Sequence, residues 1–454
     1  MLPSEFIRNI KAELGDAEGA ALCESLETTP PVSVRLNPRK LGCREPFADT
    51  RPVPWSLHGR YLDRRPAFTL DAAFHAGAYY VQEASSQFVG HLLGESAEGR
   101  RILDMCAAPG GKTTLYSTLA GDDGLVVANE IDRRRAQTLA DNVRKWGLGN
   151  VAVTCNEPSR LAEFEQWFDI VAVDAPCSGE GMFRKDPASR EEWSEGNVRL
   201  CAARQDEILD AAWRALKPGG ILIYSTCTFN RTEDEGSVER LLDRFGEEVV
   251  EADTAECEAE WGIVEGRVGP VRTYRFLPHR TVGEGFFAAA ARKAPDAGGR
   301  TRTPKSRRSL FANPDRAAAA ELARWVNEPE KMRFALVGDT FYGYRAAQYD
   351  AVRTLSESLA VIYSGVAMGQ IFKGRLRPEH SLALYAGLRR DALPSAELAG
   401  EELLQYLRKA EVRPEPFAEG INLVTAGPLP VGFVKRIGNR VNNMYPNSMR
   451  IMNK

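Results

Sequence analysis

Two cysteines stand directly after apolar, strand-like segments of the chain. Cys177 lies in residues 174–181, which read Asp-Ala-Pro-Cys-Ser-Gly-Glu-Gly, and Cys227 lies in residues 224–230, which read Tyr-Ser-Thr-Cys-Thr-Phe-Asn. Ligands of an open parallel sheet bind at the carboxyl ends of its strands, and neighbouring strands lie about 4.8 Å apart. If these two strands are neighbours, one flat ring can touch both thiols. A single buried cysteine is usually only a small hydrophobe, so it is the paired placement that indicates chemistry.

A thiolate is the side chain best suited to add to carbon 6 of a pyrimidine. The addition makes carbon 5 of a cytosine nucleophilic enough to take a methyl group from a sulfonium donor. Loss of the carbon 5 proton and of the thiol then restores the ring. Asp174 can hydrogen-bond to the base where charge develops. The spacing leaves open which cysteine attacks and which one assists.

A loop of small residues precedes these segments and predicts a nucleotide-type cofactor. Residues 103–114 read Leu-Asp-Met-Cys-Ala-Ala-Pro-Gly-Gly-Lys-Thr-Thr, an apolar strand that enters a helix through the loop. Small residues let the backbone approach a ligand closely, and the helix start offers free N–H groups. Glu130 follows Gly111 by 19 residues and ends the next strand. A carboxylate there can accept both ribose hydroxyls, which favours adenosine over a bare phosphate.

The same loop permits a competing interpretation as the phosphate loop of an NTPase. Residues 106–113 nearly match that motif, and residues 170–174 resemble its magnesium-binding strand. The first glycine of the motif is replaced by Cys106, which disfavours this alternative.

The elements that must position these residues follow an alternating strand and helix pattern. Short apolar runs predict seven strands, at residues 101–105, 125–130, 151–155, 169–174, 220–226, 273–277 and 285–291. Helices are predicted between them, for example at residues 133–146, before Gly147, and at residues 197–216, before Lys-Pro-Gly-Gly. This order predicts an α/β fold with a doubly wound, Rossmann-like sheet.

Composition sets the broad class. A chain of 454 residues with 43% hydrophobic and 27% charged residues predicts two to four globular domains. Residues 1–13 lack a secretory h-region and no stretch of 18 apolar residues occurs, so we expect a cytoplasmic protein. The eight cysteines include no C-x-x-C pair, which argues against structural zinc and disulfides. We expect no metal.

Charge is distributed unevenly around a net value of −3. Residues 233–260 hold twelve acidic and two basic residues, whereas residues 292–308 hold seven basic residues and one acid. Residues 431–454 hold five basic residues and no acid. Basic segments can contact phosphates, although a solvated face is the ordinary alternative. Candidate phosphate contacts elsewhere are Arg35, Lys40, Arg64, Arg65, Arg184 and Lys185.

Four segments together carry a family resemblance. Residues 104–114, 174–181, 225–235 and 278–287 resemble, in order and spacing, the signature blocks of the Sun-type RNA 5-methylcytosine methyltransferases. The resemblance implies an S-adenosylmethionine-dependent enzyme in which Cys227 is the nucleophile and Cys177 assists release of the methylated product. It also implies a cofactor site made of Cys106, Ala107, Ala108, Pro109, Gly110, Gly111, Lys112, Glu130, Glu157 and Asp174.

Two further segments narrow the resemblance. Residues 74–83 and 432–446 are similar to the branch typified by ribosomal RNA small-subunit methyltransferase F. This implies 16S ribosomal RNA or the small ribosomal subunit as partner and a PUA-like, RNA-binding C-terminal region. We expect a monomer without DNA or membrane partners. The expected domains are an N-terminal module at 1–78, the methyltransferase core at 79–293, a mobile basic linker at 294–312, a first C-terminal domain at 313–395 and the PUA-like domain at 396–454.

Two rival functions remain compatible with these residues. The chain can be an RNA-binding assembly factor that has kept the fold and lost catalysis, although intact thiols and an intact cofactor loop oppose this. It can also be a DNA cytosine methyltransferase, in which Cys177 is the attacking thiol.

Overall fold

The computed structural model describes residues 1–41, 45–305 and 309–452. Cys43 and residues 306–308 of the predicted linker therefore lie outside the described residues. The chain begins with a small module of antiparallel strands in the order β2-β3-β1-β4. Its strands and helices are β1 (Val32–Leu36), β2 (Thr50–Val53), β3 (Ser56–Leu62), β4 (Tyr79–Val81), α1 (Ser4–Leu14), α2 (Asp16–Ser25), α3 (Pro38–Leu41) and α4 (Ala72–His75).

The central sheet contains all seven predicted strands. Its members are β5 (Arg101–Asp104), β6 (Leu125–Asn129), β7 (Val151–Thr154), β8 (Phe168–Asp174), β9 (Leu216–Thr226), β10 (Val249–Glu251), β11 (Val264–Val268), β12 (Val271–Phe276) and β13 (Phe286–Lys293). The order β7-β6-β5-β8-β9 is parallel throughout, and β13, β12 and β11 continue it in antiparallel pairing. From β5 the chain adds β6 and β7 on one side and then β8 and β9 on the other, so the switch point of a doubly wound sheet lies between β5 and β8.

Helices cover both faces of this sheet, as the predicted fold requires. They are α5 (Phe88–Leu93), α6 (Gly111–Ala120), α7 (Arg133–Trp146), α8 (Pro158–Ala162), α9 (Pro187–Glu192), α10 (Glu195–Ala215) and α11 (Glu235–Phe245). Apolar residues of α10 and α11 join one core cluster, and those of α5, α6 and α7 join the cluster on the opposite face. Local sequence sets the ends of α7, because the Asp132 carboxylate caps its first turn and Gly147 ends it at a φ of 76°.

The C-terminal part adds two sheets and extends the central one. Its elements are α12 (Arg316–Ala323), β14 (Met332–Val337), β15 (Thr340–Arg345), α13 (Ala346–Ser356), β16 (Val361–Ser364), β17 (Val366–Phe372), β18 (Arg375–Pro378), α14 (His380–Leu384), β19 (Ser395–Glu397), α15 (Gly400–Leu407), β20 (Gly420–Ala426), β21 (Leu429–Ile437) and β22 (Arg440–Asn443). Strand β16 pairs with β7, so the central sheet has ten strands where the sequence predicted seven.

The described part of the predicted linker contacts the core. Gln166 donates a hydrogen bond to the carbonyl of Gly298, and Arg302 donates its backbone N–H to the carbonyl of Glu165. Thr301 donates its hydroxyl to the carbonyl of Gln166. Within the described residues, none of the helices is long and apolar enough to cross a membrane.

Candidate active site

The two cysteine loops leave neighbouring parallel strands at the same sheet edge. Asp174 at the end of β8 is the register partner of Ser225 on β9, and Ala175 donates its N–H to the Ser225 carbonyl. The loops bring the Sγ atoms of Cys177 and Cys227 to 3.2 Å. This separation exceeds the ~2.05 Å of a disulfide, so the site holds two free thiols, both partly accessible. The predicted pairing of thiols is present in the structure.

The two thiols have different surroundings. Contact with Cys227 and then burial raise the pKa of the Cys177 thiol well above its ordinary value, and the charge of Glu233 adds to the effect. Cys177 is therefore held in its protonated form beside Cys227. Such a pair can present one sulfur as a nucleophile while the other keeps its proton.

Glu180, a residue that the sequence did not single out, ties the two loops together. It is 1% exposed. One carboxylate oxygen accepts hydrogen bonds from the Thr228 hydroxyl at 2.6 Å and from the N–H groups of Phe229 and Asn230 at 2.9 and 3.1 Å. The other accepts from the indole of Trp193 at 3.0 Å. One carboxylate from the Cys177 loop thus organises the backbone that follows Cys227.

Glu233 makes the converse connection from the Cys227 side. Its carboxylate accepts from the N–H of Ser178 at 2.9 Å and from the amides of Gln205 and Asn230 at 3.0 and 2.7 Å. Burial raises the pKa of Glu233, although these hydrogen bonds oppose the rise. An acid in a loop usually indicates a solvated side chain. The only sequence signal for Glu180 and Glu233 was their place in the motif segments 174–181 and 225–235.

The cofactor loop lies beside these thiols, at the end of β5. Gly110 has a φ of 112°, and a Cβ at this residue would meet the Leu139 side chain at 3.0 Å. Asn142 donates to the Pro109 carbonyl at 2.8 Å, and Arg135 donates to the Ala108 carbonyl at 3.1 Å. The loop is therefore fixed from outside by side chains of α7. Burial raises the pKa of the Cys106 thiol, which suits a packing role within the loop.

Two carboxylates, Asp104 and Glu130, lie beside this loop. Asp104 is 1% exposed and accepts one hydrogen bond, from the Thr113 hydroxyl at 2.7 Å. The buried Oδ1 of Asp104 has no hydrogen-bond partner among the described residues. Burial raises the pKa of Asp104 to about 7, although the Thr113 hydrogen bond lowers it. Glu130 accepts from the Asp132 N–H at 3.1 Å and pairs with Arg135 at 3.1 Å.

Lys112 and Asp174 connect the cofactor loop to the cysteine loops. The ammonium of Lys112 lies 2.9 Å from Asp174 Oδ2, and Ser225 donates to Asp174 Oδ1 at 2.9 Å. Lys112 also lies 5.0 Å from the centre of the Phe286 ring. Glu157, by contrast, is exposed at the start of α8, although its segment follows β7 at the same sheet edge as Glu130.

These residues fit a cationic adenosine cofactor. The carboxylates of Asp104, Glu130 and Asp174 outnumber the two cations Lys112 and Arg135, and a buried oxygen of Asp104 is left for a donor. A bare triphosphate would meet repulsion here. Together with Cys106 in place of the first glycine of the phosphate-loop motif, this charge pattern disfavours the NTPase interpretation.

Three of the six predicted phosphate contacts are wrong. Arg35 is 1% exposed, donates to Gln82 and Thr114, and stacks on Trp146. Lys40 donates to two backbone carbonyls, and Arg184 is paired with a buried Glu284. These cations hold segments of the protein together. Arg64 and Arg65 are exposed, and Lys185 is partly exposed beside Glu284.

Relatives match almost the whole chain. A ribosomal RNA small subunit methyltransferase F of Aliivibrio fischeri is 30% identical over 416 residues, which are 88% of this chain and 86% of the relative. One of Escherichia coli is 31% identical over 444 residues, with 92% and 90% covered. The chain belongs to the family of ribosomal RNA small subunit methyltransferase F. It is an S-adenosylmethionine-dependent RNA methyltransferase.

Family models of methyltransferase F match three parts of the chain. A model described as 16S rRNA methyltransferase RsmB/F matches residues 92–292, one for the N-terminal domain of RsmF matches residues 2–84, and one for the RsmF PUA domain matches residues 394–451. The predicted family, fold class and cofactor are thereby confirmed.

Solved structures agree on the fold of the core. A methyltransferase homologue from Pyrococcus horikoshii has a TM-score of 0.52 at 26% identity and covers 64% of this chain and 100% of its own. NSun6 from the same organism, solved with SFG, has a TM-score of 0.56 at 20% identity, with 65% and 99% covered.

Proposed function

We propose that this chain methylates carbon 5 of a cytosine in 16S ribosomal RNA, with Cys227 as nucleophile and Cys177 as the thiol that assists release. The observation that carries the proposal is the 3.2 Å separation of the two Sγ atoms at one sheet edge, beside the cofactor loop. The family and the names of its relatives support ribosomal RNA as the substrate. The proposal extends to a monomer acting in the cytoplasm and to the domain limits predicted from the sequence.

The residues divide the reaction between them. Residues 106–112 with Asp104, Glu130 and Glu157 would hold the sulfonium cofactor, which would supply an electrophilic methyl group when bound. The Cys227 thiolate forms a bond to carbon 6 of the extruded cytosine, which makes carbon 5 nucleophilic. Asp174, held by Lys112 and Ser225, accepts hydrogen bonds from the base as positive charge develops there.

Release needs a second group near the same base. After methylation a base, water from solvent in this proposal, takes the proton from carbon 5, and the electrons of that C–H bond restore the ring double bond as the bond from carbon 6 to Cys227 breaks. Cys227 leaves as a thiolate, which can take up the proton of a neighbouring thiol. The Sγ atom of Cys177 lies 3.2 Å from that of Cys227, and contact with Cys227 and burial raise the pKa of the Cys177 thiol. We assign it to this second half of the reaction, in which it assists departure of Cys227.

Two single variants test this division. Cys227→Ala should abolish transfer of tritiated methyl groups to a 16S ribosomal RNA transcript and should still bind S-adenosylhomocysteine. Cys177→Ala should accumulate a protein-RNA adduct that survives a denaturing gel. Cys257→Ala, a free cysteine of the acidic segment 233–260, serves as the matched control and should keep wild-type turnover.

Other outcomes identify the rivals. Turnover by Cys227→Ala would refute the assignment of Cys227 as the nucleophile. An adduct between Cys177 and DNA containing 5-azacytidine would support the rival function of a DNA cytosine methyltransferase. A wild-type protein that binds RNA and transfers no methyl group is the assembly factor. Bisulfite sequencing of the product tests methylation at carbon 5.

A further inference from the structure

An exposed hairpin lies in a part of the chain that the matched family models leave out. Strands β17 and β18 are joined by Lys373 and Gly374, between the matched ranges 92–292 and 394–451. Phe372 at the tip is 70% exposed, which is unusual for a phenylalanine. Its register partner across the hairpin is Arg375. The tip therefore presents an aromatic ring beside a guanidinium group.

The hairpin has one buried side and one exposed side. Leu376 is 2% exposed, and its register partner Ile371 packs against the same apolar cluster. Arg375 and Arg377, on either side of Leu376, are both exposed. The ammonium of Lys373 lies 5.5 Å from the centre of the Phe372 ring. We call Phe372, Lys373, Arg375 and Arg377 the hairpin surface.

The cations of the hairpin surface have no ionic partner in the part of the chain that the structure describes. Among the described residues, Lys373, Arg375 and Arg377 form no salt bridge, and their side chains form no hydrogen bond. Of the nearby acids, Glu321 accepts a hydrogen bond from the Leu376 N–H at 3.0 Å and pairs with Arg324. Asp339 accepts a hydrogen bond from Gln370 at 2.6 Å, and Glu379 is exposed beyond Arg377. Within the described residues, the three cations thus lack an ionic partner, whereas Glu321 and Asp339 are already bonded to neighbours, and the Phe372 ring lies at the tip beside the cations.

We propose that the hairpin surface binds an unpaired stretch of RNA, a proposal that rests on the proposed function for its choice of nucleic acid. An exposed aromatic side chain offers a stacking platform to any unpaired base, and flanking cations contact the phosphates on either side. A protein partner would require a larger apolar area around Phe372, whereas its neighbours at the tip are Lys373, Gly374 and Arg375. The hairpin gives the enzyme an RNA contact in addition to its PUA domain.

Binding of a full-length 16S ribosomal RNA transcript, measured by filter retention without cofactor, tests this surface. Phe372→Ala should weaken binding on the order of tenfold. The double variant Arg375→Gln with Arg377→Gln should reduce the slope of log K against log salt by about 1 for each phosphate that is no longer neutralised. In methylation assays both variants should raise KM and leave kcat unchanged, because the hairpin belongs to a different sheet from the thiols.

Matched controls separate this effect from general damage. Leu200→Ala removes an apolar side chain that is 59% exposed on α10, and Arg353→Gln removes an exposed cation of α13. Both should bind RNA as the wild type does. Cross-linking of RNA containing 4-thiouridine, followed by peptide mapping, should mark residues 370–377.

Three outcomes would overturn the proposal. One is unchanged RNA affinity in folded variants. A second is the lack of any cross-link at the hairpin. The third is loss of methylation only with assembled subunits and not with naked RNA, which would assign the surface to a ribosomal protein. The first two outcomes are measured without methyl transfer, so they do not depend on the roles of Cys227 and Cys177.

Discussion

At the scale of single residues, Asp104 is the group that should couple cofactor binding to pH. Burial raises its pKa to about 7 from an ordinary value of 3.8. The native state therefore holds a proton that the unfolded chain releases, and this carboxyl lowers stability as pH rises between those two values. A cationic cofactor favours the ionised form. We expect affinity for S-adenosylmethionine to rise between pH 6 and pH 8, with release of a proton.

Calorimetric titrations in two buffers of different ionisation enthalpy measure that proton. Wild-type protein should release a fraction of a proton near pH 7, whereas Asp104→Asn should release none and should bind with less dependence on pH. Asp123→Asn, in the turn after α6, is the control and should behave as the wild type. Identical heats in both buffers for the wild type would contradict the assignment.

Residue types predicted the two thiols that the structure brings together, and they did not predict the carboxylates that hold the two cysteine loops. The pairing of Cys177 and Cys227 could be predicted because both follow strands that the spacing makes neighbours and because the chemistry of two adjacent thiols is specific. Glu180 and Glu233 could not, because a carboxylate in a loop has the same sequence pattern whether it is solvated or accepts hydrogen bonds in the interior. The prediction that Arg35 and Lys40 contact phosphates was wrong for the same reason, because a buried cation has the same sequence pattern as a surface one.

At the scale of elements, Glu180 should determine whether the two cysteine loops keep their relative position. Glu180→Gln retains the shape of the side chain but replaces one acceptor oxygen with a donor. In either orientation of the amide, its NH2 group faces N–H donors, those of Phe229 and Asn230 or that of the Trp193 indole. The donors on that side are left unsatisfied, which costs about 1–3 kcal/mol. We expect reduced stability in urea and at least a tenfold lower kcat.

The comparison that isolates this effect uses cofactor affinity and a control variant. Affinity for S-adenosylhomocysteine should be unchanged in Glu180→Gln, because the cofactor loop has its own supports from α7. Glu192→Gln, on the exposed side of α9, should match the wild type in every assay. Equal kcat in both variants would show that the thiols do not depend on Glu180.

Local pattern predicted the elements of the core better than the additions to it. The strands β5, β6, β7, β8 and β9 are apolar runs whose pairing follows from the alternation with helices. Strand β16 pairs with β7 across some 200 residues of sequence, and nothing in Val361–Ser364 distinguishes it from a strand of a separate domain. The ten-stranded sheet therefore could not be predicted from spacing.

At the scale of the whole molecule, the described parts of the chain are packed together and not merely linked. Helices α1 and α2 pack against the cysteine loops through Phe6, Phe183 and Phe229. The N-terminal sheet shares an apolar cluster with α15 and β21. Helix α14 contacts α7, β17 and β21. The N-terminal module and the C-terminal sheets are thereby held in a fixed relation to the sheet edge that carries Cys177 and Cys227.

His380 at the start of α14 makes this junction sensitive to acid. It is 7% exposed, its ring lies 5.0 Å from that of Tyr445, and neither ring nitrogen has a hydrogen-bond partner among the described residues. Burial lowers its pKa to about 3, and the charges of Lys40, His75 and Arg144 lower it further. The unfolded chain takes up this proton below about pH 6.5, so the stabilising contribution is present above that pH and is lost as pH falls.

Urea titrations at pH 7 and pH 5.5 measure this loss of stability as a change in the free energy of unfolding. One such histidine should lower the free energy of unfolding by about 1 kcal/mol over this interval. His380→Phe keeps the aromatic contact with Tyr445 and cannot be protonated, so its stability should depend less on pH by that amount. His91→Phe, a histidine outside the junction that bonds to the Glu256 carbonyl, should leave the dependence unchanged. If His380→Phe retains the full loss of stability on acidification, other groups take up the protons that cause it, and the acid sensitivity does not arise at this junction.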